Sequence, residues 1–76
     1  MTIKVKCFGV IAERLGFSEQ VLKITETDDL KCFFEKMYPQ LINETYQISV
    51  NKKICNHLKE STKNIEIALL PPFAGG

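Results

Sequence analysis

Leu30-Lys31-Cys32-Phe33-Phe34-Glu35-Lys36-Met37 is the stretch on which the fold turns. Leu30, Phe33, Phe34 and Met37 recur at the spacing that puts side chains on one face of a helix, while Lys31, Glu35 and Lys36 lie away from that face. The pattern predicts an amphipathic helix with Phe33, Phe34 and Met37 in the core rather than in a ligand box. Thr27, Asp28 and Asp29 supply N-cap candidates and negative charge at the positive end of the helix dipole, and Pro39 ends the helix.

The chain on either side reads as strand. Upstream, Ile3, Val5 and Cys7 alternate with Thr2, Lys4, Lys6 and Phe8, the period of a half-buried strand. Phe8 is an aromatic on the otherwise polar side, so either the chain has already turned and Phe8 packs locally, or it meets a partner. Ile11 and Leu15 within Val10–Leu15, followed by Gly16, predict a short helix. Glu19–Thr25, with Leu22 and Ile24 on one side, predicts a second strand antiparallel to the first. Downstream, a polar linker leads to Tyr46–Val50, which alternates again. Asn51-Lys52-Lys53 turns the chain into Ile54-Cys55, His57 to Asn64 reads as polar loop with His57 on the surface, and Ile65–Leu70 is the last strand, with Ile65, Ile67 and Leu69 on its core face.

Strands, one main helix, then strands make an α+β arrangement, a mixed sheet of four to five strands wrapped over that helix with one short helix besides. The most apolar strands, first and last, are expected as parallel neighbours near the sheet centre, since the intervening chain is long enough for the crossover. That is the β-grasp, or ubiquitin-like, plan, with residues 1–70 as the domain and 71–76 as an extended tail.

Seventy-six residues suffice for one small core. With 10 Lys and Arg against 9 Asp and Glu, and the lysines scattered, the charge predicts neither a nucleic-acid face nor an acidic tail. No apolar run approaches the roughly 18–20 residues of a membrane span, and strand alternation stands where a signal-peptide core would; the expected compartment is the cytoplasm. Cys7, Cys32 and Cys55 are odd in number and widely spaced, with no CxxC and a single histidine, which argues against zinc. Cys7 in its strand and Cys32 in its helix read as small hydrophobes, and none of the three is assigned a redox or nucleophilic role. Neither a nucleophile elbow, nor paired carboxylates, nor a phosphate-binding glycine loop is present, so the chain does not read as a self-sufficient enzyme.

The candidate chemistry lies in Leu69-Leu70-Pro71-Pro72-Phe73-Ala74-Gly75-Gly76. Pro71 and Pro72 bar any further ladder or helix and hold the backbone extended, and Gly75 and Gly76 carry no side chain. A glycine α-carboxylate can be activated with ATP to an acyl-adenylate and attacked by sulfur or nitrogen. A partner enzyme can thread such a tail through a channel that would reject side chains. The opposing reading is a frayed end or a cloning remnant.

At this point the residues resemble a family. Ile3-Lys4-Val5-Lys6-Cys7-Phe8-Gly9, the helical turn from Ile11 to Gly16, Val50-Asn51 and the ending Glu66 to Gly76 are similar to the small subunit of molybdopterin synthase, the MoaD-like sulfur carriers of the MoaD/ThiS superfamily. The resemblance implies that Gly76 is adenylated by a ubiquitin-activating-type, MoeB-like enzyme and converted to a thiocarboxylate. The tail would then enter a MoaE-like large subunit and pass its sulfur to cyclic pyranopterin monophosphate. It implies no cofactor bound by this chain, with ATP used by the activating partner, and a heterotetramer with two large subunits at its centre. It also implies a docking patch containing Phe8, Ile54 and Leu70 beside the tail residues Pro71, Pro72, Phe73, Ala74 and Gly75. Core burial is the competing reading for Ile54. The sequence departs from the family pattern at Ala12, where arginine is common, at Lys63-Asn64-Ile65, and at Phe73. A thiamine-pathway sulfur carrier, a ubiquitin-class protein modifier and an inert binding module are the rival functions.

Overall fold

The computed structural model describes residues 1–59 and 64–71. Its elements run β1 (Thr2–Cys7), α1 (Gly9–Leu15), β2 (Glu19–Lys23), α2 (Leu30–Met37), a 3₁₀ turn (Pro39–Leu41), β3 (Gln47–Val50), β4 (Lys53–Ile54) and β5 (Ile65–Leu70). The five strands form one sheet in the order β2-β1-β5-β3-β4. β1 and β5 pair in parallel from Ile3 opposite Ile65 to Cys7 opposite Leu69, and β2 pairs antiparallel to β1, as their apolar content and connections predict. The β-grasp plan is therefore the observed one.

Alternation sorts the sheet into two faces. Ile3, Val5 and Cys7 of β1 and Ile65, Ile67 and Leu69 of β5 are buried on the helix side with Leu30 and Phe34 of α2 and Ile11 of α1. The Phe33 and Phe34 rings meet edge to face with centroids 5.1 Å apart. Asp29 caps α2 as its position suggests, one carboxylate oxygen accepting from the Cys32 amide at 3.0 Å and from the Asn56 side chain at 3.0 Å.

Those bonds, the Cys32 amide first, hold the Asp29 carboxyl below its ordinary value. A depressed folded-state pKa gives stability that is present above the unfolded value, near 3.9, and is lost as the pH falls through the folded one. Asp29→Ala is accordingly expected to lower the melting temperature at neutral pH by a few degrees, and the gap to wild type should narrow as melts are taken below about pH 4. A gap that stays constant with pH would show that the cap stabilises without its charge.

The structure corrects five local expectations. Met37, read as the last core residue of the α2 stripe, is 41% exposed. Pro39 turns the chain sharply, and Leu41 of the 3₁₀ turn fills the core at that end instead, within a segment read as polar linker. Cys32 is exposed, because two residues past Leu30 is nearly the opposite side of a helix. Leu58, in the stretch read as loop, is buried and exchanges backbone hydrogen bonds with Thr27. The second strand closes at Lys23 instead of Thr25, although Ile24 is buried and its amide donates to Met1. Each miss involves one apolar residue, or one turn, too short to establish a period.

Candidate functional site

The side of the sheet away from the helices has a definite layout. Strand register places Thr2, Lys4 and Lys6 of β1, Glu66, Ala68 and Leu70 of β5, Gln47 and Ser49 of β3, and Ile54 of β4 on this face. Towards β2 it is charged: Lys6 meets Glu66 at 3.4 Å and Lys4 meets Glu19 at 4.0 Å. Towards β4 it is uncharged, with Ala68 opposite Ser49 and Ser49 opposite Ile54. The division follows from sequence, since β1 and β2 carry the long charged side chains and β5 carries none after Glu66.

Phe8, Leu70 and Ile54 all lie on or at the rim of this face. Phe8 keeps extended backbone, φ −129° and ψ 151°, so its side chain points opposite to that of buried Cys7 and is 46% exposed. Its amide donates to the Leu69 carbonyl at 3.3 Å, which sets it beside the end of β5. Leu70 is half-buried and Ile54 is 64% exposed, which removes the core reading of Ile54. Ile54 is held out by the turn before it. Asn51 and Lys52 adopt φ 49° and 73°, the left-handed pair of a two-residue hairpin, and return β4 against Ser49. Phe8 and Ile54 are three strand spacings, about 14 Å, apart, so the structure puts them on one face without bringing them into contact.

Pro71 ends the described chain here. Gly9 is the residue that sequence reasoning passed over: it has φ 56°, and a Cβ on it would come within 3.2 Å of Pro71 Cγ. A side chain at position 9 would push the start of the tail away from α1, so Gly9 sets how closely Pro71 can seat. Its signal in the sequence was a glycine placed directly after a strand, where a left-handed turn is cheapest. Gly16 has φ 82° but nothing within 4 Å of the corresponding position. Gly9→Ala is expected to cost the left-handed penalty, about 1–2 kcal/mol, plus the displacement of Pro71, and so to exceed Gly16→Ala in urea unfolding. Equal losses would mean that Pro71 gives way freely. Pro72, Phe73, Ala74, Gly75 and Gly76, the remaining residues assigned to the tail, fall outside the described residues.

Among the described residues no group of three or more potential ligands could hold a metal ion, and no helix is long and apolar enough to cross a membrane.

Comparison with known proteins adds to this geometry. The putative molybdopterin converting factor subunit 1 from Pyrococcus furiosus superposes with a TM-score of 0.74 at 18% identity, covering 96% of this chain and 99% of its own. Small archaeal modifier protein 1 from Methanosarcina acetivorans gives 0.67 at 24% identity over 99% and 96%. A complex of subunits 1 and 2 of molybdopterin-converting factor from Helicobacter pylori contains a chain that matches at 0.64 and 27% identity over the full length of both. The ThiS family model matches residues 5–76, which runs from the middle of β1 through the rest of the sheet to the Gly75-Gly76 pair. On that match, and with the β-grasp fold it shares with these neighbours, the chain belongs to the ThiS family.

Proposed function

We propose that this protein is the sulfur-carrying small subunit of a molybdopterin synthase. A ubiquitin-activating-type, MoeB-like enzyme uses ATP to adenylate the Gly76 carboxylate, and sulfur displaces AMP to leave a thiocarboxylate. The tail then enters a MoaE-like large subunit, where the sulfur passes to cyclic pyranopterin monophosphate. The observation that carries this reading is the placement of β5: the central strand ends at Leu70, and Pro71 after it, beside exposed Phe8, so the residue that precedes the remaining tail sits next to an apolar surface. The Helicobacter pylori complex supports the choice of partner, because there a chain of this type is solved with subunit 2.

The division of labour follows from chemistry. A thiocarboxylate is a nucleophile that hydrolysis would waste, so it must react where water is excluded. Gly76 supplies the acyl carbon, Gly75 lets a narrow channel close around it, and Pro71-Pro72 provide reach. The acid-base groups and the pterin site belong to the large subunit.

The test is intact-mass spectrometry after incubation with ATP, a sulfur donor and the activating enzyme. An oxygen-to-sulfur mass increase that maps to Gly76, and disappears on its deletion while the melting temperature stays unchanged, is the expected result. No increase beside an active control carrier would overturn the proposal. The likeness to small archaeal modifier protein 1 favours a second reading, in which the same activated glycine is transferred to lysine amines. Lysine-linked conjugates in cell extract, with no sulfur delivered to the pterin, would select it. Sulfur delivered to a thiazole precursor instead would select a thiamine-pathway carrier.

A further inference from the structure

Beyond the strand that carries Ile54, the chain brings together two groups from one short segment. Cys55 Sγ lies 3.3 Å from His57 Nδ1 and 3.6 Å from Nε2, and the thiol also donates to the His57 carbonyl at 3.3 Å. The thiol is half-buried, while the imidazole is exposed to solvent. The backbone holds the pair in place from both sides: the Cys55 amide donates to the Ile48 carbonyl at 3.0 Å, and Leu58, directly after His57, is buried and bonded to Thr27. The shallow cavity over the pair is also lined by Lys53 and Lys59. A thiol within hydrogen-bond reach of a base, at a mouth flanked by cations, is the arrangement that activates a sulfur nucleophile.

The other cysteines lack these features. Cys7 is buried under the sheet, and that burial pushes its thiol up to about 11. Cys32 is exposed on α2 near Asp29 and Glu35, and no imidazole contacts it among the described interactions. Accessibility alone would make Cys32 the most reactive of the three, so the Cys55–His57 geometry reverses the order that exposure predicts.

We infer that Cys55 is a thiol-exchange site, activated by His57, for small anionic disulfides. The Cys55 thiol passes its proton to His57 and the thiolate attacks one sulfur of R–S–S–R. The Cys55–S–S–R bond forms as the S–S bond of the reagent breaks, and the expelled thiolate takes the proton back from the imidazolium. Cys55 is oxidised to a mixed disulfide and one half of the reagent is reduced to R–SH. Lys53 and Lys59 favour reagents that carry carboxylates. The site is independent of the Gly76 chemistry and of any partner protein.

Three thiols in one chain allow an internal competition. The full-length protein is treated with a limiting amount of the dianionic aromatic disulfide 5,5′-dithiobis(2-nitrobenzoate), quenched at intervals with acid, and mapped by peptide mass spectrometry. Cys55 is expected to be modified first, Cys32 later and Cys7 not at all. His57→Ala should slow Cys55 by at least about tenfold, a floor set below the roughly 10²–10⁴-fold of a general base in an enzyme, while leaving the Cys32 rate unchanged. Lys53→Glu with Lys59→Glu should slow Cys55 towards this reagent by about two- to threefold, the effect of exposed charges, and not towards cationic cystamine. Cys7 serves as the reporter of folding, since a variant that opens the core would expose it. Cys32 reacting ahead of Cys55 in the wild-type protein, which needs no variant, would overturn the inference. So would an unchanged Cys55 rate in a His57→Ala protein whose Cys7 stays protected.

Discussion

Phe34→Ala is expected to remove a large share of the protein's stability, from about a quarter of it upward. Phe34 is fully buried, sits at the centre of the α2 face and has the edge of Phe33 against its ring. Truncating a buried phenylalanine removes its transfer free energy and leaves a cavity, together about 3–5 kcal/mol. A domain of this size has about 4–11 kcal/mol in total, at the usual stability per residue. Little can be recovered by collapse, because the cavity would be floored by β1 and β5, whose ladder fixes Val5 and Ile67 opposite each other in the sheet. Chemical denaturation followed by circular dichroism checks this, with Met37→Ala as the comparison. Met37 lies on the same sequence stripe but is substantially exposed, and its truncation should cost under about 1 kcal/mol. Comparable losses from the two would mean that the sequence stripe, rather than the observed burial, describes the core.

That contrast also shows how far the sequence could be read. The central pair β1 and β5, a cap within Thr27–Asp29 and the outward position of Phe8 were legible, because each rests on a period or a cap motif confined to a few consecutive residues, although which of the three residues caps α2, Asp29, was settled by the fold. The same logic could not reach Leu41 and Leu58. Leu58 is a single buried apolar residue in polar surroundings and Leu41 stands beside an exposed Ile42, so no period marks either; they are placed by the Thr27 bridge and by the Pro39 turn, and neither partner is local in pattern. Ile54 was ambiguous for a related reason. A two-residue strand has no alternation of its own, so its facing is decided by register with Ser49. At the candidate site the tail motif could be read residue by residue, but the close approach of Gly9 to Pro71 could not, since it depends on α1 and β5 meeting in space. The Cys55–His57 pair was visible only as spacing. Two residues apart in a non-helical segment, side chains may share a side or not, and the Ile48 and Thr27 hydrogen bonds determine which.

The largest functional effect short of removing Gly76 is expected from Ile54→Glu. If the apolar part of the helix-free face docks the large subunit, Ile54 is its outermost apolar side chain and becomes buried on binding. A carboxylate there would be desolvated against an apolar partner without a compensating cation. The loss should be at least about 2 kcal/mol, the threshold of an interface hot spot and roughly thirtyfold in Kd. Because Ile54 is already mostly exposed in the free protein, denaturation should change little, so weaker binding cannot be attributed to unfolding. Val21 supplies the control. It is 60% exposed, nearly as much as Ile54, and register with Lys4 puts it on the same face, but at the opposite edge beyond the Lys4–Glu19 pair. Val21→Glu should leave the affinity within about threefold, the range of a surface change outside the buried contact. Isothermal titration of the large subunit with wild-type protein and both variants separates the outcomes. A selective loss at Ile54 places the docking surface on the β5-β3-β4 half of the sheet, around the exit of the tail. Equal losses would extend it over the charged half, and no loss from Ile54→Glu would move it off this face altogether, leaving the tail as the principal contact.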